Sequence, residues 1–280
     1  MNPDSNRLQR DFWNGPAGER WVREQQQLDR AFAAITQRLF EAAAIGPGER
    51  ILDVGCGTGT TTLLAAGRAG AGGRVLGVDL SAPMLGFARE RTRGVANIAL
   101  READAMTHAW APEFDLLLSR FGVMFFAEPT RAFAALRTAL VAGGRVVFAC
   151  WRGVQDNEWV QLPFELVARK IGAALPPPRE PGPFAFAERA YVEQLLSGAG
   201  YRDISLEPFD APVRVSERGL EEALGFALEG GVAGRALREA SEAIRREVRD
   251  ELRPMLAPRV QPDGKVELGG AVWLVRARAP

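Results

Sequence analysis

Ile51-Leu52-Asp53-Val54-Gly55-Cys56-Gly57-Thr58-Gly59 is an apolar run that ends in a carboxylate and three glycines on alternate positions. Without side chains at Gly55, Gly57 and Gly59, the backbone can turn with positive φ and lie directly against a nucleotide-sized ligand. Thr60-Thr61-Thr62 then opens an apolar helical stretch through Leu63, Leu64 and Ala65. A second apolar run, Val75-Leu76-Gly77-Val78-Asp79, also ends on an acid. One carboxylate can accept both hydroxyl hydrogens of a ribose diol, so an acid at this strand end suits a nucleoside. Alone, Asp79 before Ser81-Ala82-Pro83 would be only a helix-capping acid; the glycine loop upstream is what favours the ribose.

The composition restricts what such a site can serve. The 280 residues are 47% hydrophobic, enough for one decorated α/β domain or two small ones. Lys plus Arg and Asp plus Glu both number 35, so no net field draws the chain onto a polyanion, which argues against nucleic acid as a partner. A single histidine, His108, and two cysteines, Cys56 and Cys150, remove most metal sites and Ser-His catalysis and make reduced thiols the expectation. No stretch approaches the roughly 18 apolar residues of a membrane span. Met1 to Arg7 also lacks the apolar run of a signal peptide, and a cytoplasmic protein is expected.

The elements that must position these residues alternate. Apolar strands are predicted at 50–54, 74–79, 97–101, 114–119 and 144–150, with helices at 60–68, 82–93 and 129–141 between them. Strands apolar on both faces, separated by helices, predict a parallel sheet covered on both sides. Gly18 to Ala44 reads as one helix before the glycine loop. After Cys150 the prolines of 175–183 exclude helix and central strand, and a helix is predicted at 157–173. A helix over 188–199 and a strand over 203–208 return to the earlier style, followed by a helix at 217–228. Leu237, Ala240, Ile244, Val248 and Leu252 then form a stripe on one helix ending at Pro254, and 269–277 is a last strand.

The pattern of acid, x, Gly, x, Gly, x, Gly at Asp53, Gly55, Gly57 and Gly59 resembles the first motif of class I S-adenosylmethionine-dependent methyltransferases. The resemblance implies a doubly wound, seven-stranded Rossmann-like α/β sheet whose late strand inserts antiparallel beside the fifth. It implies S-adenosylmethionine as cofactor and S-adenosylhomocysteine as product. Glu102-Ala103-Asp104-Ala105 is similar to the family's third motif, which gives Asp104 the adenine amino group and Ala105 a backbone contact. Cys56, Leu80, Met84, Ser119 and the N-terminal Trp21 complete the implied cofactor set, with Trp13 a second candidate for a lid. Asp53 suits a ligand carrying an ammonium group, directly or through water and backbone, and would repel a pyrophosphate. An NAD-linked oxidoreductase and a non-catalytic cofactor-binding protein are the competing readings.

The acceptor should meet the methyl group at Ser119-Arg120-Phe121-Gly122-Val123-Met124-Phe125-Phe126-Ala127-Glu128, beyond the fourth strand and next to the glycines. This stretch resembles small-molecule methyltransferases related to the quinone C-methyltransferases. It lacks the Asn/Asp-Pro-Pro-Tyr/Phe signature of enzymes acting on amino groups of DNA bases and protein glutamine. Arg120 is the candidate for an acidic or carbonyl-bearing acceptor, and Phe121, Met124, Phe125 and Phe126 for an apolar wall. In-line displacement at a sulfonium methyl needs alignment in a dry site more than proton transfer. His108 and Glu128 are therefore weak candidates for a base, and no catalytic residue is assigned. One domain is expected: a lid over 1–46, a core over 47–150, 187–209 and 266–280, and an acceptor cap over 151–186 and 210–265.

Overall fold

The computed structural model describes residues 6–280; the reading of Met1 to Ser5 as part of a chain without a signal peptide lies outside them. Seven strands form one sheet: β1 (Arg50–Val54), β2 (Arg74–Asp79), β3 (Ile98–Glu102), β4 (Phe114–Arg120), β5 (Leu140–Trp151), β6 (Arg202–Ser216) and β7 (Val266–Arg278). Their order is β3-β2-β1-β4-β5-β7-β6. The first five run parallel, and β7 lies antiparallel between β5 and β6, as the late strand was expected to do. From β1 the chain winds outward through β2 and β3, then returns to start β4 on the other side of β1. That reversal opens a crevice beyond the carboxyl ends of β1 and β4, where ligands of open α/β sheets bind.

Ile51, Leu52, Leu116, Leu117, Leu118 and Phe148 are wholly buried in the sheet, and Ile35, Leu39 and Phe40 of the helix Ala33–Ala43 pack into the same core. Apolar side chains on both strand faces are what a sheet covered by helices requires.

Several boundaries differ from the sequence reading. The single helix over 18–44 is four helices with 7–14 included: Arg7–Asn14, Pro16–Arg23, Gln25–Ala31 and Ala33–Ala43. Breaks at Gly15, Glu24 and Phe32 let the segment wrap over the crevice while apolar spacing persists through them. β6 runs on through Pro208 and Pro212 to Ser216, beyond the strand expected over 203–208; it is the sheet's edge, where prolines are tolerated. The stripe from Leu237 to Leu252 is divided between helices Gly231–Leu237 and Glu242–Leu256, because Ser241 caps the second by accepting from the Ile244 N–H at 3.3 Å. Pro254 sits inside that second helix rather than ending it. Among the described residues no helix is long and apolar enough to cross a membrane.

Candidate active site

A cleft of about 740 Å³, partly open to solvent, occupies the crevice. Its floor is Gly55 and Gly57, one side is Asp79, Leu80, Met84, Asp104 and Ala105, and the other is Arg120, Phe121, Gly122, Phe125 and Phe126. Asn6, Trp13 and Trp21 close it from the N-terminal helices.

The floor exists because two backbones touch. Gly55 has φ +68°, and a Cβ there would stand 2.6 Å from the Gly122 Cα. Ser119 rivets the two loops: its Oγ donates to the Val54 carbonyl at 2.7 Å and accepts from the Gly122 N–H at 3.2 Å. Ser119 is thereby buried and shapes the floor from below instead of lining it.

Two carboxylates face the cavity from successive strand ends. Asp79 accepts from the Gly57 N–H at 2.8 Å through Oδ2 and from the Ser81 N–H at 2.9 Å through Oδ1, which fixes the carboxylate plane and leaves each oxygen a further lone pair. Burial pushes its pKa up, opposed by those backbone bonds. Asp104 accepts at Oδ1 from the Met106 N–H at 2.9 Å and from the Asn6 side-chain amide at 3.0 Å.

Half of the glycine motif is turned away from the cavity. Asp53 is completely buried behind the floor: Thr61 and Thr62 donate to its Oδ2 at 2.7 and 2.6 Å, while Oδ1 has no partner among the described residues. Burial pushes its carboxyl up to about 6. Cys56 was expected to touch the cofactor, but its thiol is buried toward β2, where a Cβ on Gly77 would lie 3.0 Å from Sγ. Burial also raises that thiol well above its usual range, so it is an inert core group. Gly59, with φ +85°, packs against Ala88 and serves the turn into helix Thr60–Ala69, not the cavity.

The acceptor-side expectations divide in the same way. Phe125 and Phe126 line the cavity, and Trp13 meets Phe125 edge-on at 5.0 Å. Met124 does not: it is buried, and its sulfur accepts from the Trp151 N–H at 3.4 Å, because the short 3₁₀ turn Gly122–Phe125 points successive side chains in different directions. Phe121 holds φ +68° and stacks on Trp151 with centroids 4.4 Å apart. Arg120 borders the cavity with its guanidinium donating to Thr36 Oγ1 at 2.7 Å and Asp29 Oδ1 at 3.3 Å. His108 is away from the cavity, beside Arg101 and against Trp110, and Glu128 pairs with Arg131 at 3.1 Å. Neither borders the site. The expected cap adds no residue to the wall: Leu237, Val248 and Leu252 are buried in its own packing, and Trp151 reaches the site only by backing Phe121.

Asn6 is the residue that sequence reasoning missed. It joins Asp104 to the Ala127 N–H, which its Oδ1 accepts at 3.2 Å. At the other end of the same helix, Asn14 donates to the Leu80 carbonyl and accepts from the Ala82 N–H, both at 2.9 Å, and the Trp13 carbonyl accepts from Ser81 Oγ at 2.7 Å. An asparagine at each end of a short helix signals only a boundary in sequence; the cross-chain bonds have no local signature.

Residues 51–144 match the model of a family described as a methyltransferase domain. The aklanonic acid methyltransferase of Streptomyces sp. (strain C5) is 36% identical over 120 residues, 42% of this chain and 54% of that protein. A demethylmenaquinone methyltransferase of Staphylococcus carnosus (strain TM300) is 27% identical over 198 residues, 66% of this chain and 81% of that one. Residues 51–144 thus carry a methyltransferase domain, and over longer stretches the chain is similar to methyltransferases. The fold is similar to that of phosphoethanolamine N-methyltransferase 2 of Haemonchus contortus, which superposes with a TM-score of 0.59 at 18% identity, covering 97% of this chain and 60% of that one. The match to the Streptomyces relative spans about half of that relative's length. The Haemonchus contortus structure is a complex with S-adenosyl-L-methionine.

Proposed function

We propose that the chain transfers a methyl group from S-adenosylmethionine to a small organic acceptor with an apolar body. The observation that carries this is the cavity itself, with two carboxylates at successive strand ends on one side and an aromatic wall on the other. The residues fit the cofactor. Asp79 would accept from both ribose hydroxyls, because its plane is already fixed by the Gly57 and Ser81 N–H groups. Asp104 and Ala105 would take the adenine edge, with Leu80 and Met84 packing on its faces. Gly55 and Gly57 would let the ligand lie on the main chain. Asp53, Cys56, Gly59 and Ser119 would act from behind, by holding the loop in shape.

Bound there, S-adenosylmethionine supplies an electrophilic sulfonium methyl. The chain's part is alignment and exclusion of water: Trp13, Trp21, Phe121, Phe125 and Phe126 would form a dry chamber at the mouth of the glycine floor. No residue is assigned as a base, and His108 and Glu128 are not proposed. The relatives' names specify aklanonic acid and demethylmenaquinone, and an acceptor of that general kind, a small organic molecule rather than nucleic acid, is our reading. We also propose a lid over 1–46, a core over 47–150, 187–209 and 266–280, and a cap over 151–186 and 210–265 that braces the aromatic wall through Trp151, in a cytoplasmic protein. Incubation with methyl-labelled S-adenosylmethionine and a panel of aromatic and aliphatic metabolites tests the function. Labelled products one methyl heavier are expected, and label passing only to oligonucleotides or protein would refute the acceptor class.

A further inference from the structure

Among the described residues, the side chains lining the cavity include three that carry charge, Asp79, Asp104 and Arg120, and no His, Lys, Tyr, Cys, Ser or Thr. Asp79 is held by the Gly57 and Ser81 N–H groups and Asp104 by the Met106 N–H and Asn6, both on the side of the cavity assigned to the nucleoside. Arg120 cannot take up a proton, since a guanidinium has donors only, and its charge is compensated by Asp29 at 3.3 Å and by buried Asp53. Asp53 itself lies behind the floor and does not reach the cavity. A hydroxyl that must lose its proton on methylation therefore meets no described side chain on the aromatic side that would receive it.

The polar side-chain groups left on that side are donors. Trp110, Trp159 and Trp273 give their indole N–H groups to protein oxygens at 3.0, 3.3 and 2.8 Å, whereas Trp13 and Trp21, which close the cavity, donate theirs to no described residue. Arg120 spends two of its five N–H groups on Thr36 and Asp29. Asn6 is used at both ends, on Asp104 and on the Ala127 N–H. A nucleophile matched to this lining accepts hydrogen bonds and brings none, because an O–H or N–H would be buried among rings without a partner. Charge balance favours the same class. An oxyanion meeting a sulfonium gives two neutral groups, a change promoted where water is excluded, whereas an amine carries the positive charge over to its own nitrogen and gains nothing from the dry site.

Resting on the methyl-transfer reading above, we propose that the acceptor is an oxygen acid that arrives already ionised, a carboxylate or an acidic phenol or enol on an apolar body, and that it is methylated on that oxygen. The oxyanion gives an electron pair to the methyl carbon while the pair of the C–S bond returns to sulfur. One O–C bond forms, one C–S bond breaks, and no proton moves. The product is a neutral ester or ether, without the charge that drew the acceptor to the cationic cofactor.

Two probes test this on the wild-type protein: 4-nitrophenol, whose ionised form is yellow, and its methyl ether 4-nitroanisole. Each is titrated into protein saturated with S-adenosylhomocysteine, uncharged at sulfur, or with sinefungin, which carries a protonated amine in place of the sulfonium and transfers no methyl group. 4-Nitrophenol should bind the sinefungin complex about 10- to 1000-fold more tightly than the S-adenosylhomocysteine complex, the effect of an opposite charge within about 4–6 Å on an acid. Its absorption when bound should be that of the phenolate, and 4-nitroanisole should hardly distinguish the two complexes. Bound 4-nitrophenol that is protonated, the same preference shown by both probes, or no binding of 4-nitrophenol to the sinefungin complex overturns the proposal. Absence of binding by both S-adenosylhomocysteine and sinefungin would instead remove the cofactor assignment on which it rests.

Discussion

Replacing Asp79 with Ala removes the group through which the nucleoside half of the site is organised. In the structure both carboxylate oxygens already accept a backbone N–H, from Gly57 and Ser81, and both remain able to accept once more. Each bond from a ribose hydroxyl to this charged group should contribute about 1.5–3 kcal/mol. Because the two share one carboxylate they should not add fully, and about 2–4 kcal/mol is expected in total, a loss of about 30- to 700-fold in S-adenosylhomocysteine affinity. The burial that raises the Asp79 pKa also means that removing the acid relieves a desolvation cost, so the empty protein should stay folded while the ligand is lost. Calorimetry with S-adenosylhomocysteine and its 2′,3′-dideoxy analogue separates the diol bonds from loop distortion. Wild-type protein should discriminate strongly between them and Asp79→Ala hardly at all. If the variant weakens both ligands by the same factor, Asp79 acts by shaping the glycine loop and the diol assignment is wrong.

Asp53, with its carboxyl pushed up to about 6 by burial, binds its proton more tightly when folded than when unfolded near 3.8. Stability from this group is therefore present below about pH 4 and falls as pH rises toward 6, by about 3 kcal/mol in all; Asp53→Asn should flatten that part of the melting-temperature profile, and an unchanged slope between pH 4 and 6 would contradict the burial argument. Asn6→Ala, which frees Asp104 and the Ala127 N–H, should speed dissociation of S-adenosylhomocysteine several-fold in stopped-flow displacement, on the scale of about 1 kcal/mol per bond lost; an unchanged off-rate would mean that the helix 7–14 does not retain the ligand. Phe125→Ala should impair acceptor turnover by far more than it weakens S-adenosylhomocysteine, whereas His108→Ala should leave steady-state rates within a few-fold of wild type. Loss of all turnover in folded His108→Ala would restore general-base catalysis.

What the sequence made legible was local. Strand ends at Val54 and Asp79 coincide with the sequence reading because an apolar run closed by Gly or Asp is read over a few residues, and the same pattern placed Asp79 and Asp104 on the cavity. The glycine motif was over-read at Cys56 and Gly59, since a loop with alternating positive φ turns every other residue toward β2 or the following helix. Met124 and Phe125 are adjacent and equally apolar, yet one packs under Trp151 and the other lines the cavity; periodicity does not resolve the phase of a single 3₁₀ turn. Arg120 was identified as a site residue, but its partners Asp29 and Thr36 come from helices far earlier in the chain. Asn6 on Asp104 and Gly122 on Gly55 are likewise long-range contacts, set by how the segments fold over one another.

The most direct test of the central claim compares S-adenosylhomocysteine with NAD on the same wild-type protein by calorimetry and thermal melting. A ligand that binds only the native state raises the melting temperature in proportion to the logarithm of its saturation. S-adenosylhomocysteine should bind and raise the melting temperature by several degrees at about 100 times its Kd, while NAD should do neither, because Asp53 behind the glycine floor opposes a pyrophosphate. Binding of NAD without binding of S-adenosylhomocysteine would contradict the assignment of this cavity to methyl transfer.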